Sequence, residues 1–180
     1  MRYREATRAD AGRIAALHAE SWRASYRGAA TDEFLDGVVF ADRERIWNER
    51  MSSPASNQFV VVAEESPNLA GFACAYGDED PIRGTYLDNL HVLGEWQGTG
   101  VGRGLMARVV AWCVDRYPDS GLYLLVLEQN ERARRFYERL GATDAESTTW
   151  LPPGGGIAPS RIYTWTTDEV ADLASMLGTS

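Results

Sequence analysis

Between residues 90 and 104 the chain reads Leu-His-Val-Leu-Gly-Glu-Trp-Gln-Gly-Thr-Gly-Val-Gly-Arg-Gly, with glycine at every second position from 98 onward. A strand-like run enters this segment and an amphipathic helix leaves it, with Val101, Leu105, Val109 and Trp112 on one face. Without side chains at Gly98, Gly100 and Gly102, consecutive backbone N–H groups can converge on an anion at the positive end of the helix dipole. A diphosphate suits that chemistry. Arg103 falls in the first helical turn, where a positive charge is unfavourable unless an anion binds beside it. The plainer reading is that the glycines only allow a tight turn and close helix packing. A Walker phosphate loop is excluded, because no Gly-Lys-Ser or Gly-Lys-Thr follows. The dinucleotide pattern G-x-G-x-x-G also fails, since its last position is Arg103 when counted from Gly98 and Leu105 when counted from Gly100.

Other reactive side chains are few. The two cysteines, Cys74 and Cys113, lie inside apolar runs without the paired spacing of a zinc site, and read as buried thiols. Two histidines, His18 and His91, leave little scope for a His-based metal site or triad, and no metal is expected; His18 reads as part of a half-exposed helical face. Asn130 stands where it can cap the helix that follows. By periodicity Tyr137 belongs to the apolar stripe of Ala133, Phe136 and Leu140, as a core aromatic.

The elements that must position these groups follow from pattern and punctuation. A strand is expected at residues 3–6, then Thr7 and Asp10 in a capping arrangement, and a helix to about residue 22. A second helical region spans about 31–51 and is closed by Pro54. Runs 59–63 and 69–76, separated by Glu-Ser-Pro-Asn, read as an antiparallel hairpin, and the next strand is 86–92. Then come the helix from 100 to about 117, a strand at 122–128 and a helix at 130–140, which together make one βαβ crossover with a helix appended. Two strands, about 142–150 and 161–166, flank the irregular Pro-Pro-Gly-Gly-Gly-Ile-Ala-Pro segment, and a tail helix begins after 167. The expected class is α/β in the mixed α+β sense: a single domain over residues 1–180, with a mixed sheet flanked by helices and a core over about 1–166. Eighteen Lys and Arg against 26 Asp and Glu give a net charge of −8, which argues against a general nucleic-acid binder. At 44% hydrophobic and 24% charged residues, disorder is excluded as the main state. Apolar runs such as 122–127 are far too short to span a bilayer, and the charged start of the chain resembles no leader, so a cytoplasmic location is expected and no membrane partner.

Gln97-x-x-Gly100-x-Gly102, after a strand ending Leu-His-Val, resembles the acyl-CoA pyrophosphate motif of the GNAT superfamily of N-acetyltransferases. Asn130 and Tyr137, seven residues apart and followed by Leu140-Gly141, resemble its second signature, and the segment Ala-Glu-Ser-Trp-Arg-Ala-Ser-Tyr-Arg-Gly ending at Gly28 resembles the first helices of small bacterial members. The resemblance covers residues 1 to about 166. It implies a mostly antiparallel sheet whose central strands, here 86–92 and 122–128, splay to admit the pantetheine arm of acetyl-CoA. Leu90, His91 and Val92 would then face the pantetheine and thioester, with the Val92 N–H polarising the acetyl carbonyl. Gln97, Gly98, Thr99, Gly100, Val101, Gly102 and Arg103 would hold the pyrophosphate, with Asn130 and Tyr137 completing the cofactor site. One of Arg132, Arg134 and Arg135 could reach a CoA phosphate, although a solvated basic face is the plainer reading of each. Tyr137 would protonate the departing thiolate as general acid.

For the base that frees the amine, Tyr86 and Leu125 stand where some relatives carry Glu, and Asp88, of the same parity as Tyr86 and Leu90, is the nearest carboxylate. The implied activity is transfer of acetyl from acetyl-CoA to a primary amine of a small molecule, peptide or protein; a homodimer is compatible with it. A catalytically idle acyl-CoA sensor is the competing reading. The acceptor is expected between residues 22–36 and 152–159, drawn by Asp32, Glu33 and Asp36 if it is cationic, unless these only make an acidic surface.

Overall fold

The computed structural model describes residues 1–178. Strand β1 (Arg2–Glu5) is followed by Thr7, whose N–H and hydroxyl both donate to the Asp10 carboxylate, at 2.9 and 3.0 Å, so the chain turns through a short 3-10 segment, Arg8–Asp10, into α1 (Ala11–Ser25). Ile14, Leu17, His18 and Trp22 recur at helical spacing and form the buried stripe of α1. A π-helical turn, Phe34–Val38, leads into α2 (Val39–Ser52), so the helical region expected over 31–51 is divided. His18 is only 1% exposed, which corrects the half-exposed face expected for it. The reason is long-range: Trp47 of α2 donates its indole N–H to His18 Nδ1 at 2.9 Å.

The expected hairpin forms from β2 (Gln58–Glu65) and β3 (Asn68–Asp80), followed by β4 (Gly84–Val92), α3 (Val101–Arg116) and β5 (Leu122–Leu127). After α4 (Glu131–Arg139) come β6 (Thr143–Trp150), β7 (Ala158–Trp165) and α5 (Thr167–Leu177). The seven strands make one mixed sheet in the order β1-β2-β3-β4-β5-β7-β6, in which only β4 and β5 run parallel. That single parallel pair is the crossover read from the sequence, joined through α3.

Helices cover both faces. Trp47, Ile14 and Leu17 pack over Val60, Val62, Phe72 and Cys74 on one side. Leu105, Val109, Val170 and Leu173 pack over Ala73, Ala75, Leu122 and Leu124 on the other. Phe72 and Leu122 are fully buried, each worth roughly 1.5–3 kcal/mol, and they anchor the sheet on either side of its centre. Val170, Leu173 and Ala174 bury α5 in the same core as α3. Cys74 and Cys113 are buried free thiols, as expected. Among the described residues no helix is long and apolar enough to cross a membrane.

Candidate functional site

The two central strands part company. β4 and β5 pair only at Thr85–Leu122 and Tyr86–Tyr123, after which β5 stays with β7 and β4 with β3. The parting coincides with a β-bulge: Leu87 faces Ala75 and Asn89 faces the adjacent Cys74, so Asp88 is an extra residue on β4. A bulge bends its strand and raises the local twist. It also switches the faces of the strand. Tyr86, opposite Tyr76, and Leu90, opposite Ala73, lie on opposite sides of the sheet, which corrects the common parity assigned to Tyr86, Asp88 and Leu90. The gap opens a cavity of about 390 Å³ whose wall includes Leu87, Asp88, Leu90, His91 and Val92 on one side and Leu125, Val126 and Leu127 on the other.

The glycine turn forms one end of this cavity. Gly98 and Gly100 have φ of +82° and +93°, and no atom lies within 4 Å of where a Cβ would be at either position. Gly100 is the N-cap of α3 and no side chain caps that helix, so its first N–H groups are open to a ligand. Gln97 sets the turn from the inside, its side-chain amide donating to the Val92 carbonyl at 2.9 Å. Gln97, Gly98, Gly100, Gly102 and Arg103 all line the cavity. Thr99 and Val101 do not, since the Thr99 hydroxyl turns back to the Trp96 carbonyl at 2.6 Å and the Val101 side chain is buried in the core. Arg103 also donates to the Met176 carbonyl of α5 at 2.7 Å, which ties the start of α3 to the end of the last helix.

From the opposite side α4 brings Asn130, Arg132, Phe136 and Tyr137 to the cavity. Asn130 Oδ1 accepts the Ala133 N–H at 3.1 Å, the capping role expected of it. Of the three arginines, only Arg132 lines the cavity: Arg134 donates to the Tyr163 hydroxyl at 3.2 Å, and Arg135 pairs with Glu131 at 2.6 Å. Tyr137 is 7% exposed, and burial, followed by the neighbouring Tyr26, pushes its pKa up. Its hydroxyl has no hydrogen-bond partner in the protein among the described residues.

A second cavity of about 370 Å³ adjoins the first, and both are walled by Tyr26, Asp88, Leu125, Val126 and Leu127. His18, Trp22, Arg43, Tyr86, Trp150 and Pro153 contribute to its lining. Arg50 donates to Asp88 Oδ2 at 2.6 Å and so fixes the carboxylate at the junction. Near the junction the Ser21 hydroxyl and His91 Nδ1 are 2.8 Å apart, and burial, followed by Arg43, lowers the His91 pKa to about 4. Asp32 and Asp36, expected to draw a cation, line neither cavity. They are engaged at the surface by Arg27, Asp32 at 2.6 Å and Asp36 at 2.9 Å. Sequence reasoning missed Tyr26, Arg43 and Arg50, and misplaced His18. The signal for three of the lining residues was there: His18, Trp22 and Tyr26 recur every four residues on α1 and its C-cap, an aromatic stripe on one face.

The profile of the acetyltransferase (GNAT) family matches residues 14–142. The chain is 31% identical to a 5-NmdU N-acetyltransferase of Pseudomonas phage PaMx11 over 130 residues, 71% of this chain and 81% of that one. It is 26% identical to a probable N-acetyltransferase of Mycobacterium tuberculosis over 167 residues, 91% of this chain and 92% of the other. A Thermoplasma acidophilum N-acetyltransferase, solved in complex with coenzyme A, shares the fold at TM-score 0.65 and 17% identity, over 91% of this chain and 98% of that one. The relatives are named as N-acetyltransferases, which counts against an idle sensor. Signature turn, parted strands and relatives converge, and the chain is an acyltransferase belonging to the acetyltransferase (GNAT) family.

Proposed function

We propose that the protein is a cytoplasmic N-acetyltransferase that uses acetyl-CoA in the first cavity and a primary amine in the second. The observation that carries this reading is the parting of β4 and β5 over the two adjoining cavities, with Tyr137 at the gap. Strand edges that lose their partners leave N–H and C=O groups for an extended amide chain such as pantetheine. The empty space where Cβ atoms would stand at Gly98 and Gly100, with the uncapped start of α3, suits a diphosphate. The residues therefore fit acetyl-CoA. Bound there, it supplies an acetyl group whose bond to sulfur is exchanged for a bond to the amine nitrogen.

The chain's own groups divide the remaining work. Gln97, Gly98, Gly100, Gly102 and Arg103 bind the diphosphate, helped by the backbone of Thr99 and Val101. Leu90, His91 and Val92 orient the pantetheine and acetyl group, and the Val92 N–H stabilises charge on the acetyl oxygen. Asn130 holds the start of α4 so that Tyr137 faces the sulfur. Asp88, held by Arg50, accepts the amine's proton directly or through water, and Tyr137 donates a proton to the departing sulfur. Calorimetric titration with acetyl-CoA, followed by thiol release with a panel of amines, tests the reading. Saturable binding with amine-dependent release is expected. Binding without release from any amine would return the protein to the sensor class, and no binding would refute the site.

A further inference from the structure

Two side chains that line the second cavity carry buried donors that the protein does not satisfy. His18 and Trp22 stand one turn apart on α1 with ring centroids 5.3 Å apart, and both line this cavity. His18 Nδ1 accepts the Trp47 indole N–H, and an indole can only donate, so the proton of the neutral ring sits on Nε2. That N–H and the Trp22 indole N–H are the buried side-chain polar groups left without a partner among the described residues. The residues carrying them are 1% and 4% exposed. Aromatic faces nearby are weak acceptors for such groups.

A cation adjoins the pair. The Arg43 guanidinium carbon lies 4.2 Å from the centroid of the Trp22 ring. Its Nε and Nη2 both donate to one oxygen of Asp42, and Nη1 has no protein partner among the described residues. Around the cavity wall Arg43 pairs with Asp42, Arg50 with Asp88 and Arg45 with Glu49, so the charges balance and the unmet capacity lies in the donors. A cation placed beside Arg43 would leave these donors unpaired. An anion with several lone pairs would satisfy them.

We propose that the second cavity recognises a carboxylate, so that the acceptor is an amino acid whose amine is presented to Asp88 while its carboxylate meets Arg43, His18 and Trp22. The role given to the amine rests on the acetyltransferase reading; the carboxylate site does not. His18 and Trp22 both line the cavity, and their orphan nitrogens are buried.

Matched pairs that differ only in the carboxylate test this directly: arginine with agmatine, lysine with cadaverine, and phenylalanine with phenethylamine. Their binding is measured by calorimetry on the whole protein, with and without saturating CoA. At least one amino acid should bind about tenfold more tightly than its decarboxylated partner, the scale of one charge-assisted hydrogen bond. Trp22→Phe, which keeps an aromatic ring over Tyr26 and removes the N–H, should shrink that ratio, with folding checked by thermal melting. Decarboxylated partners that bind as well or better in every pair overturn the proposal, as does no binding of any of these amino acids at millimolar concentration. Failure of acetyl-CoA to bind would instead refute the acetyltransferase reading, and the comparison without CoA would still judge the carboxylate site.

Discussion

A Tyr137→Phe variant keeps the ring packed against Phe136 and Trp165, at 5.2 and 6.2 Å between centroids, and removes only the phenol oxygen. No protein group bonds that oxygen among the described residues, so its removal orphans nothing. Stability should change by less than ~0.5 kcal/mol, which in a domain of this size is a melting shift of no more than about 2 °C. Catalysis should respond differently. Burial, then Tyr26, raises the phenol pKa, so the group holds its proton throughout the neutral range and enters the reaction as a donor. Loss of a positioned proton donor costs a factor of ~10² to 10⁴, or about 3 to 5 kcal/mol of barrier. The assay is thiol release under single-turnover conditions, which keeps product release from masking the chemical step, alongside calorimetric affinity for acetyl-CoA. Unchanged affinity and melting with a hundredfold slower burst is the expected outcome. If the Phe variant releases thiol at the parental rate, Tyr137 is a core aromatic and its role as general acid is wrong.

Gly100→Leu places a side chain on a residue with φ +93°, at a backbone strain of about 1–2 kcal/mol, and fills the open space of the turn. Affinity for acetyl-CoA should fall at least about tenfold in a protein that still folds, and unchanged affinity by calorimetry would move the diphosphate elsewhere. Asp88→Asn leaves Arg50 without its anion and should lower kcat/KM for the amine by ~10² or more, with cofactor affinity kept; an unaltered kcat/KM removes Asp88 from proton transfer. His18 and His91 are both held neutral, their pKa values depressed first by burial, His91 to about 4. A depressed histidine contributes stability that is present above its unfolded pKa, about 6.5, and lost as pH falls toward the folded value, with a slope of up to ~1.4 kcal/mol per pH unit for each ring. Urea midpoints should therefore drop between about pH 6.5 and pH 4, and a flat profile there would contradict the buried neutral rings. Below that window a further loss is expected from Asp10 and Glu64, whose carboxyl pKa values are held down chiefly by hydrogen bonds from Arg4, Glu64 to about 2.

What was legible in the residues was chemistry of short reach. Alternate glycines after a strand, an Asn at the head of α4, and helical stripes such as Val101, Leu105 and Val109 each depend on neighbours within a turn or two, where local backbone geometry decides. From these alone follow the anion-seeking turn, the single crossover and, through the paired signatures, the family. The remainder depended on partners far along the chain. Asp88 is a bulge only because β3 meets β4 in one particular register, and that extra residue sends Tyr86 and Leu90 to opposite faces. His18 is buried because Trp47 arrives from α2, and Asp32 and Asp36 are spent on Arg27 instead of facing a substrate. The sequence by itself determined the turn that can hold a diphosphate and the elements around it. Only the tertiary structure decided at which residue β4 and β5 part and which donors are left over around the second cavity, because strand register and burial are set by packing between distant segments.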